Sequence, residues 1–343
     1  MQTLILQEPG HFRLTETEPP PQPGPGEALV RVHRVGICGT DLHAFRGRQP
    51  FFSYPRILGH ELGVEVVALG PATETASPGN LAVGDRCAVE PYLNCGRCGA
   101  CRRGKTNCCE RLQVLGVHVD GGMRELLVVP VHKLHKSETL PLSHLALVEM
   151  LCIGGHAVRR AQVEPGEQVL VIGAGPIGLS TIQFAQIAGA EVSVLELNPG
   201  RLAFCQEQLG VAHGLDGSVD PVDALRERLD GELPTVVFDA TGNVHSMQQA
   251  FQLVANGGKL VFVGLVQADI TFHDPEFHRR EMTLLSSRNA TGEDFQFAIR
   301  MLEEGRINVA PWITHHTTPQ ELPAVFPTWL APEAGVVKAM LDF

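Results

Sequence analysis

"EQVLVIGAGPIGLSTIQFAQIAGAEVSVLELN", Glu167 to Asn198, reads as a strand, a glycine turn, a helix and a second strand. "QVLVI" is an apolar run too short for a helix, and the glycines after it mark a turn. The apolar stretch from Pro176 is long enough for a helix, and "EVSVLE" returns to strand character. Working outward, "TVVFDATG" (Thr235 to Gly242) and "GGKLVFVGL" (Gly257 to Leu265) are further strands, with "VHSMQQAFQLV" (Val244 to Val254) as the helix between them. Strands alternating with helices imply the α/β class with a parallel, doubly wound sheet. The pattern fades near "SSRNATGEDF"; "EDFQFAIRMLEEGRI" then reads as an amphipathic helix and "GVVKAMLDF" as a closing strand.

Upstream the texture differs. "EALVRVHRVGIC", "LGVEVVALG" and "VGDRCAVEPY" are short strands, and "PPPQPGPGE" and "PATETASPGN" (Pro71 to Asn80) are loops by composition. Such punctuation suggests a barrel-like β domain. A chain of 343 residues exceeds one simple core, so two domains are expected, with the change of texture placed near residue 153. The hydrophobic fraction of 44 % and charged fraction of 19 % are ordinary for a globular enzyme. A net charge of −11 argues against nucleic acid or an anionic membrane as partner. No leader is visible in "MQTLILQEPG", and no stretch reaches the roughly 20 apolar residues of a membrane helix. A cytoplasmic location is expected, where clustered cysteines favour metal over disulfides.

Glycines at 173, 175 and 178 sit between strand and helix, where they permit a tight turn, close approach of a pyrophosphate and helix–strand packing. The helix N-terminus adds free amides and partial positive charge. Glu196 ends the next strand about 20 residues on, where a carboxylate binds ribose hydroxyls and repels a 2′-phosphate. A glycine turn alone is a weak signal; strand, glycines and acid in one register make a dinucleotide fingerprint. NAD is therefore expected over NADP, with Arg201 as the cation that keeps NADP open. The candidate cofactor residues are Gly173, Gly175, Pro176, Ile177, Gly178, Glu196, Arg201 and Thr241.

"NCGRCGACRRGKTNCCE" places Cys95, Cys98, Cys101 and Cys109 at C-x2-C-x2-C-x7-C spacing, within a lobe of about residues 90–112. Four thiolates from one loop can close a tetrahedron around zinc and leave no vacancy, so this site is structural. Cys108 is the alternative fourth ligand, but the register favours Cys109. A redox C-x-x-C lacks thioredoxin-like surroundings here. Chemistry is sought in "GICGTDLH" and "LGHELG", where Cys38 and His60 are a thiolate and an imidazole suited to zinc, with Glu61 adjacent and Glu149 a further acid. Alone, Cys38 would more often be core and His60 a satisfied polar residue; the dinucleotide fingerprint raises their standing, because hydride transfer from an alcohol needs an oxygen-polarising group.

Taken together, "GICGTDLH", "LGHELG", "CGRCGACRRGKTNCC" and "GAGPIGL" resemble the zinc-dependent medium-chain dehydrogenases, in the sorbitol, threonine and sugar-acid branch. The resemblance covers essentially the whole chain. It implies a GroES-like catalytic domain from residues 1–153 and 291–343, with a Rossmann domain at 154–290. It also implies two zinc ions per subunit. Cys38, His60 and Glu149 resemble the catalytic ligands, Glu61 an acid able to approach the metal, and Asp41 the group orienting an imidazole. Thr40 and His43 resemble a proton relay, though Thr40 could instead cap a helix in "GTDLHAFRG". Relatives carry Glu-Pro where this chain has Glu149-Met150. "PFFSYPRILGHE", "TNCCE", "GVHVDGG", "DPEFHRRE" and "SSRNAT" are similar to hexonate and polyol dehydrogenases in particular. Phe52, His118, Arg288 and Asn289 are substrate candidates on that basis, with Arg288 suited to a carboxylate; Phe52 has packing as its plain alternative. The activity implied is oxidation of a secondary alcohol of a polyol or sugar acid, by a homodimer or homotetramer. A hexitol or L-threonine is the alternative substrate. A zinc-ribbon nucleic-acid binder, drawing on Arg97, Arg102, Arg103 and Lys105, is the rival from another class. A zinc-free relative would lack the cysteine and histidine pattern.

Overall fold

The computed structural model describes residues 1–50, 52–72 and 79–343, so most of the loop expected at Pro71–Asn80 lies outside the described residues. The chain opens with a hairpin, β1 (Gln2–Glu8) against β2 (His11–Glu16). After the proline-rich coil come β3 (Glu27–Ile37), helix α1 (Gly39–Phe45) and β4 (Glu61–Leu69). Short strands follow: β5 (Arg86–Val89), β6 (Tyr92–Leu93), β7 (Gln113–Val114), β8 (Leu126–Pro130) and β9 (Leu134–Lys136). The segment ends in α2 (Leu142–Ala161). Helix α1 has Cys38 as its N-cap, and Asp41 returns its carboxylate to the Cys38 N–H at 2.9 Å. The cap is therefore not Thr40, which lies inside the first turn, because the acid three residues past the cap satisfies the orphan amide.

The next six strands are β10 (Gln168–Ile172), β11 (Glu191–Glu196), β12 (His213–Asp216), β13 (Val236–Asp239), β14 (Lys259–Phe262) and β15 (Thr283–Ser286). Helices α3 (Pro176–Ile187) and α4 (Pro199–Leu209) join the first three. All pairings are parallel, in the order β12-β11-β10-β13-β14-β15. This is the doubly wound order, and the order reverses between β10 and β13. Central strands are covered on both faces and so read as apolar runs, as in β10, where Val169 to Ile172 are all buried. Gly173 takes φ +92°, and a Cβ on Gly178 would collide with the Gly173 carbonyl, so the turn's first and third glycines are required by shape.

The chain then returns through α5 (Gly292–Glu303), whose start is fixed by Thr291 and Asp294, to β16 (Ile313–Thr317) and β17 (Lys338–Asp342). The last strand pairs antiparallel with β3, which carries β8 on its first half and β17 on its last. The resulting sheet runs β16-β17-β3-β4-β5-β9. One compact unit is Met1–Glu149 with Ala290–Phe343, and the other is Met150–Asn289. The first junction falls inside α2, where no change of hydrophobic period marks it. Unit 1 has its own core of Val30, Val32, Val64, Leu127 and Leu341 among others, each such side chain contributing about 1.5–3 kcal/mol by burial. Unit 2 is centred on Leu170, Val237, Val254 and Leu260. Among the described residues no helix is long and apolar enough to cross a membrane.

Candidate active site

Three adjacent strands of unit 1 bring the chemistry together. The register sets Met340 of β17 opposite Gly36 of β3, and Gly36 opposite Glu61 of β4. Lys338 at the start of β17, Cys38 just past β3, and His60 with Glu61 at the start of β4 thereby converge. One donor atom each from Cys38, His60 and Glu61 lies within 4.8 Å of the others. His60 and Glu61 are buried, and Glu61 Oε1 accepts from Lys338 Nζ at 2.5 Å. The same ammonium donates to the Ile37 carbonyl at 3.0 Å. A Cβ on Gly36 would collide with the Glu61 carboxylate, so this strand glycine makes the room that the acid occupies.

Asp41 Oδ1 lies 3.8 Å from His60 Nδ1. Asp41 Oδ1, His60 Nδ1 and Glu61 Oε2 are buried with no hydrogen-bond partner. Burial lowers the affinity of His60 for a proton, but the Cys38 thiol, Asp41 and Glu149 outweigh it and hold the imidazole well above its usual value. Burial raises the carboxyls of Asp41 and Glu149. A thiol and three acids thus share a buried space with one lysine, and orphaned oxygen and nitrogen atoms remain. That mixture of soft sulphur with nitrogen and hard oxygen donors, left without partners, fits a zinc ion.

Glu149 comes from α2, is buried, and accepts through Oε1 from the Tyr92 phenol. It is not a member of the three-donor group; Glu61 is, because it follows His60 directly and sits in register with Gly36. Thr40 is half-buried within α1, and His43 is exposed in its last turn. Phe52 packs edge-on to Tyr54, centroids 4.9 Å apart, against the unit 1 core. His118 Nδ1 accepts the Val114 N–H at 3.1 Å, an interaction that closes its own turn. Arg288 is exposed near the end of unit 2, and Asn289 beside it has φ +52°. Sequence reasoning did not single out Tyr92 or Lys338.

The sulphurs of Cys95, Cys98, Cys101 and Cys109 all lie within 4.8 Å of one another, while Cys108 is exposed and outside the group. Cys98 Sγ is 3.5 Å from Cys101 Sγ and 3.9 Å from Cys109 Sγ. A tetrahedron with Zn–S of ~2.3 Å has edges of about 3.8 Å, so the cluster has the size of a zinc site. Cys109 Sγ accepts the N–H groups of Cys95 at 3.3 Å and Arg111 at 3.4 Å. Amides of Cys101 and Glu110 bring the Cys98 thiol down to about 6, the thiolate form a metal requires.

In unit 2 the glycine turn leaves the C-terminal end of β10 and Thr241 follows β13, on either side of the point where strand order reverses. Gly175 is the N-cap of α3, with Pro176 at its first position and Ile177 next. A Cβ placed on Gly175 would meet only Arg201 Nη1, at 4.0 Å, so the turn is open above its second glycine. Glu196 Oε2 accepts the Ala174 N–H at 2.6 Å, and Oε1 the Asn198 N–H at 2.8 Å. Asp216 stands beside it in β12. Thr241 Oγ1 donates to Asp239 Oδ1 at 2.6 Å.

Residues 24–140 match the alcohol dehydrogenase GroES-like domain, and residues 176–304 match the zinc-binding dehydrogenase domain. The chain is 46 % identical over 316 residues to L-galactonate-5-dehydrogenase of Escherichia coli K12, covering 92 % of this chain and 91 % of that protein. The chain belongs to the zinc-binding alcohol dehydrogenase family. As a zinc-type dehydrogenase of the polyol and sugar-acid kind, it is an oxidoreductase acting on a small molecule. Solved family members share its fold. The alcohol dehydrogenase rspB of Escherichia coli CFT073, complexed with NADH, superposes with TM-score 0.91 at 30 % identity over 100 % of this chain and 99 % of that one. A zinc-binding dehydrogenase of Sinorhizobium meliloti 1021 bound to NADP gives the same TM-score, identity and coverage. The zinc-ribbon reading is set aside, since the cysteine lobe falls within the match to the alcohol dehydrogenase GroES-like domain.

Proposed function

We propose that this dehydrogenase oxidises a secondary hydroxyl of a hexonate, with L-galactonate and its 5-position the first candidate, and passes the hydride to NAD+. The observation that carries this reading is the mixed Cys38, His60 and Glu61 donor group in a chain so similar to L-galactonate-5-dehydrogenase. When bound, zinc would supply a lowered pKa to an alcohol oxygen, and NAD+ would accept the hydride. Cys38 and His60 would hold the metal, with Glu61 and Glu149 as the carboxylates available to it. Asp41, 3.8 Å from His60 Nδ1, would orient that imidazole by its charge. Thr40 takes the substrate proton at its hydroxyl, and His43 receives it. Partial burial, with Arg46 and Arg48, holds His43 below the usual imidazole value, so it is neutral at pH 7 and able to accept.

Gly173, Gly175 and Gly178, with Pro176 and Ile177 at the start of α3, form the pyrophosphate cradle. Glu196 meets the adenosine ribose, and its charge with that of Asp216 disfavours a 2′-phosphate. Arg201 flanks the cradle, and Thr241 lines its far side. Arg288 and Asn289 are the groups offered to the substrate carboxylate and hydroxyls, and Cys95, Cys98, Cys101 and Cys109 hold the structural zinc. The enzyme is assigned to the cytoplasm as a homodimer or homotetramer. The test is reduction of NAD+ and NADP+ across hexonates, hexitols and L-threonine. The largest kcat/KM is expected for L-galactonate with NAD+; a preference for L-threonine, a hexitol or NADP+ would contradict the assignment.

A further inference from the structure

Tyr92 is one of only two tyrosines in the chain and is 2 % exposed. A buried phenol needs a receiver, and this one donates to Glu149 Oε1. Its ring stands edge-on to Phe295 of α5, with centroids 6.3 Å apart and planes at 76°. Its backbone is fixed as well, because β6 pairs with β7 through Tyr92–Val114 and Leu93–Gln113. Those two short strands close the loop that carries the four cysteines. Cys95 follows Leu93 by two residues, and its N–H is bound to Cys109 Sγ. The mount from which the phenol reaches Glu149 is therefore the base of the cysteine lobe.

A carboxylate with one oxygen held by a fixed donor cannot rotate freely, so the direction of its other oxygen is set as well. We propose that Tyr92 is the positioning residue for Glu149: it sets the oxygen that Glu149 offers to a metal at the Cys38–His60 group. This rests on reading Cys38, His60 and Glu149 as metal ligands.

The experiment loads the full chain with Co2+ at both sites, whose bands differ because one site has a single thiolate and the other four. Tyr92→Phe keeps the ring and removes the hydroxyl. The single-thiolate band is expected to shift, and its Co2+ to be lost to a chelator with about 10-fold weaker affinity. The four-thiolate bands and the NAD-induced rise in Tm should stay as in wild type. Glu149→Gln supplies the second arm: with Glu149 altered, adding Tyr92→Phe should weaken Co2+ binding no further. An unchanged single-thiolate spectrum and affinity in Tyr92→Phe, or additive losses in the double variant, overturns the positioning role and leaves the ligand reading standing. A wild-type protein with no single-thiolate band overturns the ligand reading itself, and the positioning role with it.

Discussion

Lys338 is 2 % exposed, with its ammonium held between the Ile37 carbonyl and Glu61. Burial disfavours its charge, but Glu61 and the Cys38 thiol outweigh that and raise it. Lys338→Met is expected to destabilise unit 1 by about 3 kcal/mol, because the buried Glu61 carboxyl loses the cation it is bonded to. The urea midpoint of the protein checks this, and Lys338→Arg should recover part of the loss. The site's residues differ in how far the sequence announced them. Cys38, His60 and the four cysteines were legible because their atom types are few and their spacing matches a coordination geometry. Lys338 meets Glu61 from 277 residues away, and only a lysine between apolar neighbours in "GVVKAMLDF" hinted at it. Tyr92 meets Glu149 across 57 residues with no local pattern at all. Gly36 did carry a signal, since a glycine inside a strand marks close approach.

At the scale of elements, an ion cluster holds the end of β5 to the segment leading into β9. Glu90 accepts from Lys133 Nζ through Oε1 and lies 3.2 Å from His135 Nε2 through Oε2, all three groups being buried or nearly so. The His135 ring stacks on Phe295, which extends the cluster to α5. Burial opposes ionisation of Glu90, but His135 and Lys133 prevail and hold its carboxyl below the usual 4.5. A depressed carboxyl stabilises the fold fully above its ordinary value and loses that contribution as pH falls through the lowered one. Glu90→Gln should therefore cost about 3 kcal/mol at pH 7. The difference from wild type should shrink as the pH is taken below 4.5, as followed by thermal unfolding; a pH-independent difference would contradict the assignment. The long elements were legible for the same reason that they are stable. The strand, glycine turn and helix around Gly173 have apolar periodicity and a forced turn. The outer strands β12 and β15 escaped notice, because as sheet edges they are short and largely exposed, and carry no alternation.

Over the whole molecule, two compact units divide the work by composition. Unit 1 supplies thiol, imidazole and carboxylate donors, whereas unit 2 supplies a glycine turn and an acid at a reversal of strand order. The net charge of −11 sets no substrate, and composition does not report which alcohol is used. That is why the α/β class and the dehydrogenase family were legible from motifs, and the substrate was not. The account depends on a catalytic metal in unit 1 that is separable from the metal of the cysteine lobe. The most direct measurement is zinc content per chain for wild type and Cys38→Ser, made alongside NAD+ reduction and the NAD-induced rise in Tm. The account predicts two zinc ions in wild type, and in the variant one zinc ion, no turnover and an intact response to NAD. A Cys38→Ser protein that keeps both zinc ions, or reduces NAD+ at the wild-type rate, would contradict it.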